Sequence, residues 1–288
     1  FCNDNTFCAM VCSRTSIWAG RWFVSLKGGI SVECIRKIVV SGSPYERGRQ
    51  QGEFLKPLIH ENINNIIDRL SSSVLDIGRY REITVRNAEF LKNRCPEQWE
   101  EMEGIAKGAD ASFDDILTIN IPSYFMKDTF AEDCSMLLAR SGSTLDGLTY
   151  LIKNRDMEMM EHQAAIEYLY PDGKTVLEVN GAGIITYPAI GLNNNGLAVT
   201  STGFWSPKTE IDMEDIDCCH IFVNIHHLLE KCSCTGDVLE MLKTYPRMNG
   251  LNMIAADRQG AVLIETTKDG YLCRWADESG ILFRTNHY

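Results

Sequence analysis

The chain has 288 residues, 44% hydrophobic and 23% charged, the balance of a soluble globular protein with room for one large domain or two modest ones. Its 28 basic and 39 acidic residues leave a net charge of −11 without a basic stripe, which argues against nucleic acid as a partner. No apolar run reaches the roughly 18 residues of a spanning helix, so no membrane span is predicted.

Residues 1–35 show no clear period and read as a poorly specified arm. The start, Phe1-Cys-Asn-Asp-Asn-Thr6, has neither an initiator Met nor the basic head and apolar centre of a signal peptide. A processed chain or a fragment is therefore expected. The β-branched run Ile35-Arg-Lys-Ile-Val-Val40 predicts a strand. Ser43 suits a helix N-cap and Pro44 the first helical position. Leu55, Leu58, Ile59, Ile63, Ile66, Ile67 and Leu70 then follow at three- and four-residue spacing. Further helices fit residues 82–93, 97–108 and 114–120, so residues 36–133 read as a mainly helical segment.

The texture changes at Cys134. Residues 135–140 and 148–153 alternate about Ser141-Gly-Ser-Thr-Leu-Asp-Gly147 and predict a hairpin. Strands are predicted over 164–170, 175–179, 184–190 and 197–201, then helices over 220–231 and 235–242. Four strands close the chain, at 251–256, 261–266, 270–276 and 281–285. Strands bunched on either side of helices indicate α+β layers rather than a parallel βαβ order. Residues 134–288 thus read as a strand-rich core.

The eleven cysteines lack any paired CxxC spacing, so no metal site and no cofactor is expected. A reducing compartment is the simpler reading of the cysteines, and a secreted, partly disulfide-bonded protein is also compatible. Cys218, Cys219, Cys232 and Cys234 read as packing residues. The Gly42–Gly52 stretch lacks the Gly-Lys-Ser/Thr ending of a phosphate loop, and its glycines suit close helix packing. Of His226 and His227, one is expected to face the core and one solvent.

Cys134 stands where the helical segment ends and the strands begin. A nucleophilic thiol needs a base and donors for the oxyanion. Of the six histidines, at 60, 162, 220, 226, 227 and 287, none lies near it in sequence. A second base is available if the Asp133–Cys134 peptide is cut. The α-amine then freed has a reference pKa of about 7.7–8.0, suited to base work near neutral pH.

Four segments give these residues a context. They are Gly42-Ser-Pro-Tyr-Glu-Arg-Gly-Arg-Gln-Gln-Gly52; Glu103-Gly-Ile-Ala-Lys-Gly-Ala-Asp110 with Ile116-Leu-Thr-Ile-Asn120; Cys134 with Lys153-Asn-Arg-Asp156; and Gly191-Leu-Asn-Asn-Asn-Gly-Leu-Ala-Val199 with Arg284-Thr-Asn-His287. In this order they resemble the acyl-coenzyme A:6-aminopenicillanate (isopenicillin N) acyltransferase family of N-terminal-nucleophile hydrolases. That family is related to bile-salt hydrolases and to N-acylethanolamine and ceramide amidases. The resemblance runs from about Val39 to Tyr288.

The resemblance implies a four-layer αββα sandwich made as a precursor that cuts itself between Asp133 and Cys134. The α and β chains then stay together without a covalent link. It implies Cys134 as nucleophile, Asp156 as partner of the α-amine and Asn286 as oxyanion donor. Asn154, Lys153, Thr202 and Gly203 are weaker site-lining or oxyanion candidates, and His287 could line the site. The partners implied are a small-molecule acyl donor and an amine or water acceptor. Asp133 departs from the glycine of the fungal acyltransferases, and Lys153 replaces the arginine of bile-salt hydrolases. Family members continue beyond Thr-Asn-His, so the hydrolase core is expected to lack its C-terminal part. Two alternatives stand beside this reading: a His-dependent cysteine hydrolase without self-cleavage, and an inactive truncated member acting as a binding module.

Overall fold

The computed structural model describes residues 6–13, 23–24, 35–72, 77–121, 132–157, 162–187, 189–203, 225–244, 251–267 and 270–286. Strands β1 (Thr6–Ser13), β2 (Phe23–Val24) and β3 (Arg36–Ser41) precede four helices. These are α1 (Pro44–Ser72), α2 (Ile77–Arg94), α3 (Pro96–Ala109) and α4 (Phe113–Asn120). Six strands follow: β4 (Glu132–Ala139), β5 (Thr149–Met157), β6 (Gln163–Leu169), β7 (Thr175–Gly181), β8 (Ile190–Asn193) and β9 (Ala198–Gly203). Helices α5 (Ile225–Lys231) and α6 (Thr235–Thr244) come next. Strands β10 (Leu251–Ala256), β11 (Ala261–Thr266), β12 (Tyr271–Trp275) and β13 (Ile281–Arg284) end the described order.

The start of α1 follows from its own residues. The Ser43 hydroxyl accepts from the Glu46 N–H at 3.3 Å, and Glu46 Oε2 accepts from the Ser43 N–H at 2.8 Å. This is a reciprocal capping box. Leu55, Ile59, Ile63 and Ile66 are buried on one face. Two pairs of glycines at four-residue spacing then bring α1 against α3. A Cβ on Gly48 would lie 1.9 Å from the Glu101 carbonyl oxygen, and one on Gly108 would lie 2.0 Å from that of Arg49. Gly104 and Gly52 are also tight against backbone, with a Cβ placed 2.2 Å from the Tyr45 carbonyl oxygen and 2.5 Å from that of Ile105, respectively. Any larger side chain would drive the helices apart.

The strands form two sheets. One runs β13-β4-β5-β1-β2, the other β12-β11-β10-β9-β8-β7-β6-β3. Met136, Leu138, Leu151 and Leu282 of the first sheet pack with Val179, Ile190, Ala198, Ile254, Ala256, Ala261 and Leu263 of the second. The helices cover the other face of the eight-stranded sheet, where Val199, Leu251, Met253 and Val262 meet Leu55, Ile59, Ile105 and Leu228. The fold is therefore an α+β sandwich, with helix, sheet and sheet layers formed by the described residues. No described helix covers the outer face of the five-stranded sheet, which leaves Leu137, Ile281 and Phe283 partly exposed. The described residues thus form three of the four layers of the expected αββα sandwich.

Three expectations need correction. The N-terminal arm is not featureless, because β1 pairs antiparallel with β5 along its whole length, from Thr6 opposite Asp156 to Ser13 opposite Thr149. Its nearly continuous apolar run hid the strand period. The apolar run 184–190 is not a strand before Ile190. Asn120 captures its backbone instead, donating to the Gly183 carbonyl at 2.7 Å and accepting from the Ile185 N–H at 2.8 Å. Gly183, at φ +84°, makes the turn that allows this.

Third, His226 and His227 are both buried rather than split between core and solvent. His226 Nδ1 lies 3.0 and 3.1 Å from the two Glu178 oxygens. Glu101 sits between His226, 3.9 Å away, and the Arg47 guanidinium, which donates to it at 3.1 Å. Burial, the largest single influence, pulls the His226 imidazolium down, but the charge and hydrogen bond of Glu178 together with the charges of Glu101 and Glu230 raise the group to about 9. Burial pushes the Glu101 carboxyl up, against the pull of His226 and Arg47. Burial also holds His227 below the ordinary imidazole value. The cluster lies on the helical side of the eight-stranded sheet and joins α1 and α3 to α5 and β7. Of the other cysteines, Cys232 is buried and its thiol pushed up to about 12 by burial, in keeping with packing, while Cys234 is half-buried. Cys218, Cys219 and His220 lie outside the described residues.

Candidate active site

Cys134 is the third residue of β4 and only 6% exposed. Side chains alternate along a strand, so Cys134, Met136 and Leu138 share the face turned toward the eight-stranded sheet. Register sets its neighbours. On β5, Cys134 is opposite Arg155, Met136 opposite Lys153, and Asp133 opposite Asp156. On the other side β13 pairs Arg284 with Met136. Two residues further along the antiparallel chain, Asn286 comes level with Cys134.

The side chain of Asn286 uses that position. Its Oδ1 accepts a hydrogen bond from the Cys134 N–H at 2.5 Å, across 152 residues of sequence. The donor is a backbone N–H, so the amide oxygen must be the atom that faces it. The peptide preceding Asn286 is itself gripped. Thr202 Oγ1 and Asn252 Nδ2 each donate to the Thr285 carbonyl at 3.0 Å. Arg284 then donates from Nε to Glu265 Oε1 at 2.6 Å, with a second contact from its Nη2. Lys153 is buried on the same face as Cys134 and donates from Nζ to the Ser201 carbonyl at 2.6 Å.

The predicted site residues are thus partly brought together. Cys134 and Asn286 are in direct contact. Lys153 and Thr202 face the same inter-sheet region. Gly203 continues β9 and pairs with Leu251, beside the Thr202–Asn252 pair. Asn154 donates to Ser135 Oγ at 3.1 Å, on the face opposite Cys134, and so ties the hairpin rather than lining the thiol. Asp156 is placed by its backbone opposite Asp133, next to the Asp133–Cys134 peptide. The Asp133 and Asp156 side chains and the whole of His287 lie outside the described residues.

Sequence reasoning missed Asn252, Glu265 and Arg284 as members of this region. A signal was present: Asn252 and Glu265 are polar interruptions at inward positions of two mainly apolar strands. The four described histidines are engaged elsewhere. His60 bonds the Ala109 carbonyl, His162 pairs with Glu61, and His226 and His227 are buried on α5. Among the described residues, no group of three His, Cys, Asp or Glu side chains is placed to hold a metal ion, and no helix is long and apolar enough to cross a membrane.

A family model described as acyl-coenzyme A:6-aminopenicillanic acid acyl-transferase matches residues 143–288, just over half of the chain. The match begins after Cys134 and takes in Lys153, Asp156, Thr202 and Asn286. Among solved structures, the chain is similar to penicillin V acylase from Agrobacterium tumefaciens, at 10% identity over 52% of this chain and 43% of that one, with a TM-score of 0.29. It is similar also to conjugated bile acid hydrolase from Clostridium perfringens, at 16% identity over 54% of this chain and 45% of that one, with a TM-score of 0.29. The chain spans less than half the length of these solved structures.

Proposed function

Because the chain belongs to the acyl-coenzyme A:6-aminopenicillanic acid acyl-transferase family, we propose that it is a self-processing cysteine amidohydrolase or acyltransferase with Cys134 as nucleophile. The observation that carries this reading is the bond between the Cys134 nitrogen and Asn286 Oδ1. It joins the one atom that self-cleavage would turn into an α-amine to a side chain with a further N–H₂ group to offer an oxyanion.

In the maturation step Cys134 Sγ attacks the Asp133 carbonyl carbon. The C–N bond breaks, the thiol proton passes to the departing nitrogen, and Asp133 is held as a thioester. Water releases it as a carboxylic acid and restores the thiol. Residues 1–133 and 134–288 then form the α and β chains. The new amine keeps one N–H on Asn286 Oδ1, which leaves its lone pair to take the thiol proton. Proximity is built in, since base and nucleophile are one residue.

In turnover the thiolate adds to the acyl carbonyl of an amide or thioester, and the Asn286 amide donates to the oxyanion. The amine returns its proton to the leaving group as the carbon–nitrogen or carbon–sulfur bond breaks. Water or an amine then takes the acyl group from Cys134. Asp156, one residue past the register partner of Cys134, would accept from the α-amine. Lys153, on the same face as Cys134, ties β5 to the Ser201 carbonyl of β9. The substrate class is a small N-acyl amide or acyl thioester, and no cofactor enters.

The His-dependent alternative draws no support from the described histidines: His60, His162 and His226 bond to Ala109, Glu61 and Glu178, and His227 is buried beside His226 on α5. The test is turnover of a panel of N-acyl amino acids and N-acyl amines by the protein, its Cys134→Ala variant and its Asn286→Ala variant. Hydrolysis lost in the first and reduced about 100- to 1,000-fold in kcat in the second is expected. Turnover that survives Cys134→Ala would refute the proposal.

A further inference from the structure

We infer that Asn252, acting with Thr202, is a positioning residue that fixes Asn286 against the nucleophile. The catalytic consequence rests on the function proposed above, while the anchoring itself rests on geometry alone.

Thr202 on β9, Asn252 on β10 and Glu265 on β11 are register partners in sequence, forming one rung across three neighbouring strands. Their side chains fall on the face of the eight-stranded sheet that meets the five-stranded sheet, in line with Ala198, Ile254 and Leu263. All three reach across the sandwich to the two residues before Asn286. Glu265 takes the Arg284 guanidinium, and Thr202 and Asn252 donate to the Thr285 carbonyl. That carbonyl belongs to the peptide that carries the Asn286 nitrogen. Two donors fill both of its lone pairs and set the plane of the peptide. The rung thereby controls where the Asn286 side chain leaves the backbone.

Stability alone explains Asn252 poorly. The residue is fully buried in the strand Leu-Asn-Met-Ile-Ala-Ala. Its Oδ1 has no hydrogen-bond partner among the described residues. An orphaned buried oxygen costs stability, and an apolar residue of similar size would avoid that cost. What an apolar residue cannot supply is the Nδ2 donor to Thr285. Catalysis is sensitive to this, because a displacement of about 1 Å at a reacting group costs on the order of 100-fold in rate.

The test uses Asn252→Ala, Thr202→Val and Thr202→Ser. In the otherwise unchanged protein, each of the first two is expected to lower kcat on the N-acyl panel by about tenfold with KM little altered. Thr202→Ser, which keeps the hydroxyl, is expected to stay within about twofold of the parent. In the uncut Cys134→Ala protein the amide at position 134 still donates to Asn286. Its hydrogen exchange is expected to speed up by about tenfold in Asn252→Ala and Thr202→Val and to remain unchanged in Thr202→Ser. If Asn252→Ala does not fold, the Thr202 pair decides, since equal behaviour of Val and Ser would overturn the inference. So would a parent that turns over substrate alongside variants with parental kcat and parental exchange. A parent without turnover whose position-134 amide is still loosened by the variants would uphold the anchoring and remove the proposed function.

Discussion

Replacing His226 by Gln should flatten the alkaline side of the stability profile. The imidazolium is buried against Glu178, and its folded value is about 9 where the ordinary value is 6.5. A group raised in the folded state contributes its full stability below the unfolded value and loses it as pH rises through the folded one. The contribution of His226 is therefore complete below about pH 6.5 and gone somewhat above pH 9. The shift corresponds to about 3 kcal/mol. The groups facing it are Glu178 on β7, Glu101 and Arg47 on the helices, Tyr168 across its ring at 4.8 Å, and Glu230 and His227 on its own helix. Glu101 is the complication, since burial raises it too and it likewise loses stability as pH rises through its folded value. The comparison with His226→Gln isolates the histidine. The assay is urea unfolding at pH 6 and pH 10 in the uncut Cys134→Ala protein, where a single chain unfolds. The parent should lose about 3 kcal/mol more than His226→Gln between the two pH values. Identical pH dependence in the two proteins would refute a charged His226 in the core.

Gly48→Ala places a Cβ 1.9 Å from the Glu101 carbonyl oxygen. Overpacking against backbone of this kind should cost about 1–3 kcal/mol or more and lower the melting temperature, whereas Gly142→Ala, with open space around it, should change little. Lys153→Met removes the donor to the Ser201 carbonyl. A loss of about 1–3 kcal/mol is expected in denaturant unfolding, and an unchanged midpoint would mean that water replaces the ammonium. Glu46→Ala removes the reciprocal half of the α1 cap and should lower the unfolding midpoint slightly, read in the same assay.

Much of the fold was legible because local signals agreed with tertiary packing. Ser43 and Pro44 announced α1, and the apolar runs of β10 and β11 matched the strands residue for residue. The glycines of the Gly42–Gly52 stretch suggested close packing, and they meet α3 in that way. What was hidden depends on partners distant in sequence. Glu178 and His226 are 48 positions apart, and neither announces the other. Ile184 and Ile185 have strand propensity, but Asn120 takes their backbone and helix α4 takes their side chains' side of the core. Cys134 and Asn286 could be paired from motif resemblance, whereas the Thr202–Asn252–Glu265 rung needed the register of three strands.

Whether Cys134 becomes an N-terminus, as proposed, is read from the intact mass of the purified protein beside its Cys134→Ala variant. Two pieces, residues 1–133 and 134–288, are expected from the parent and a single uncut chain from the variant. A folded parent that stays in one piece while hydrolysing N-acyl substrates through Cys134 would contradict the claim, because the base would then have to be something other than the α-amine.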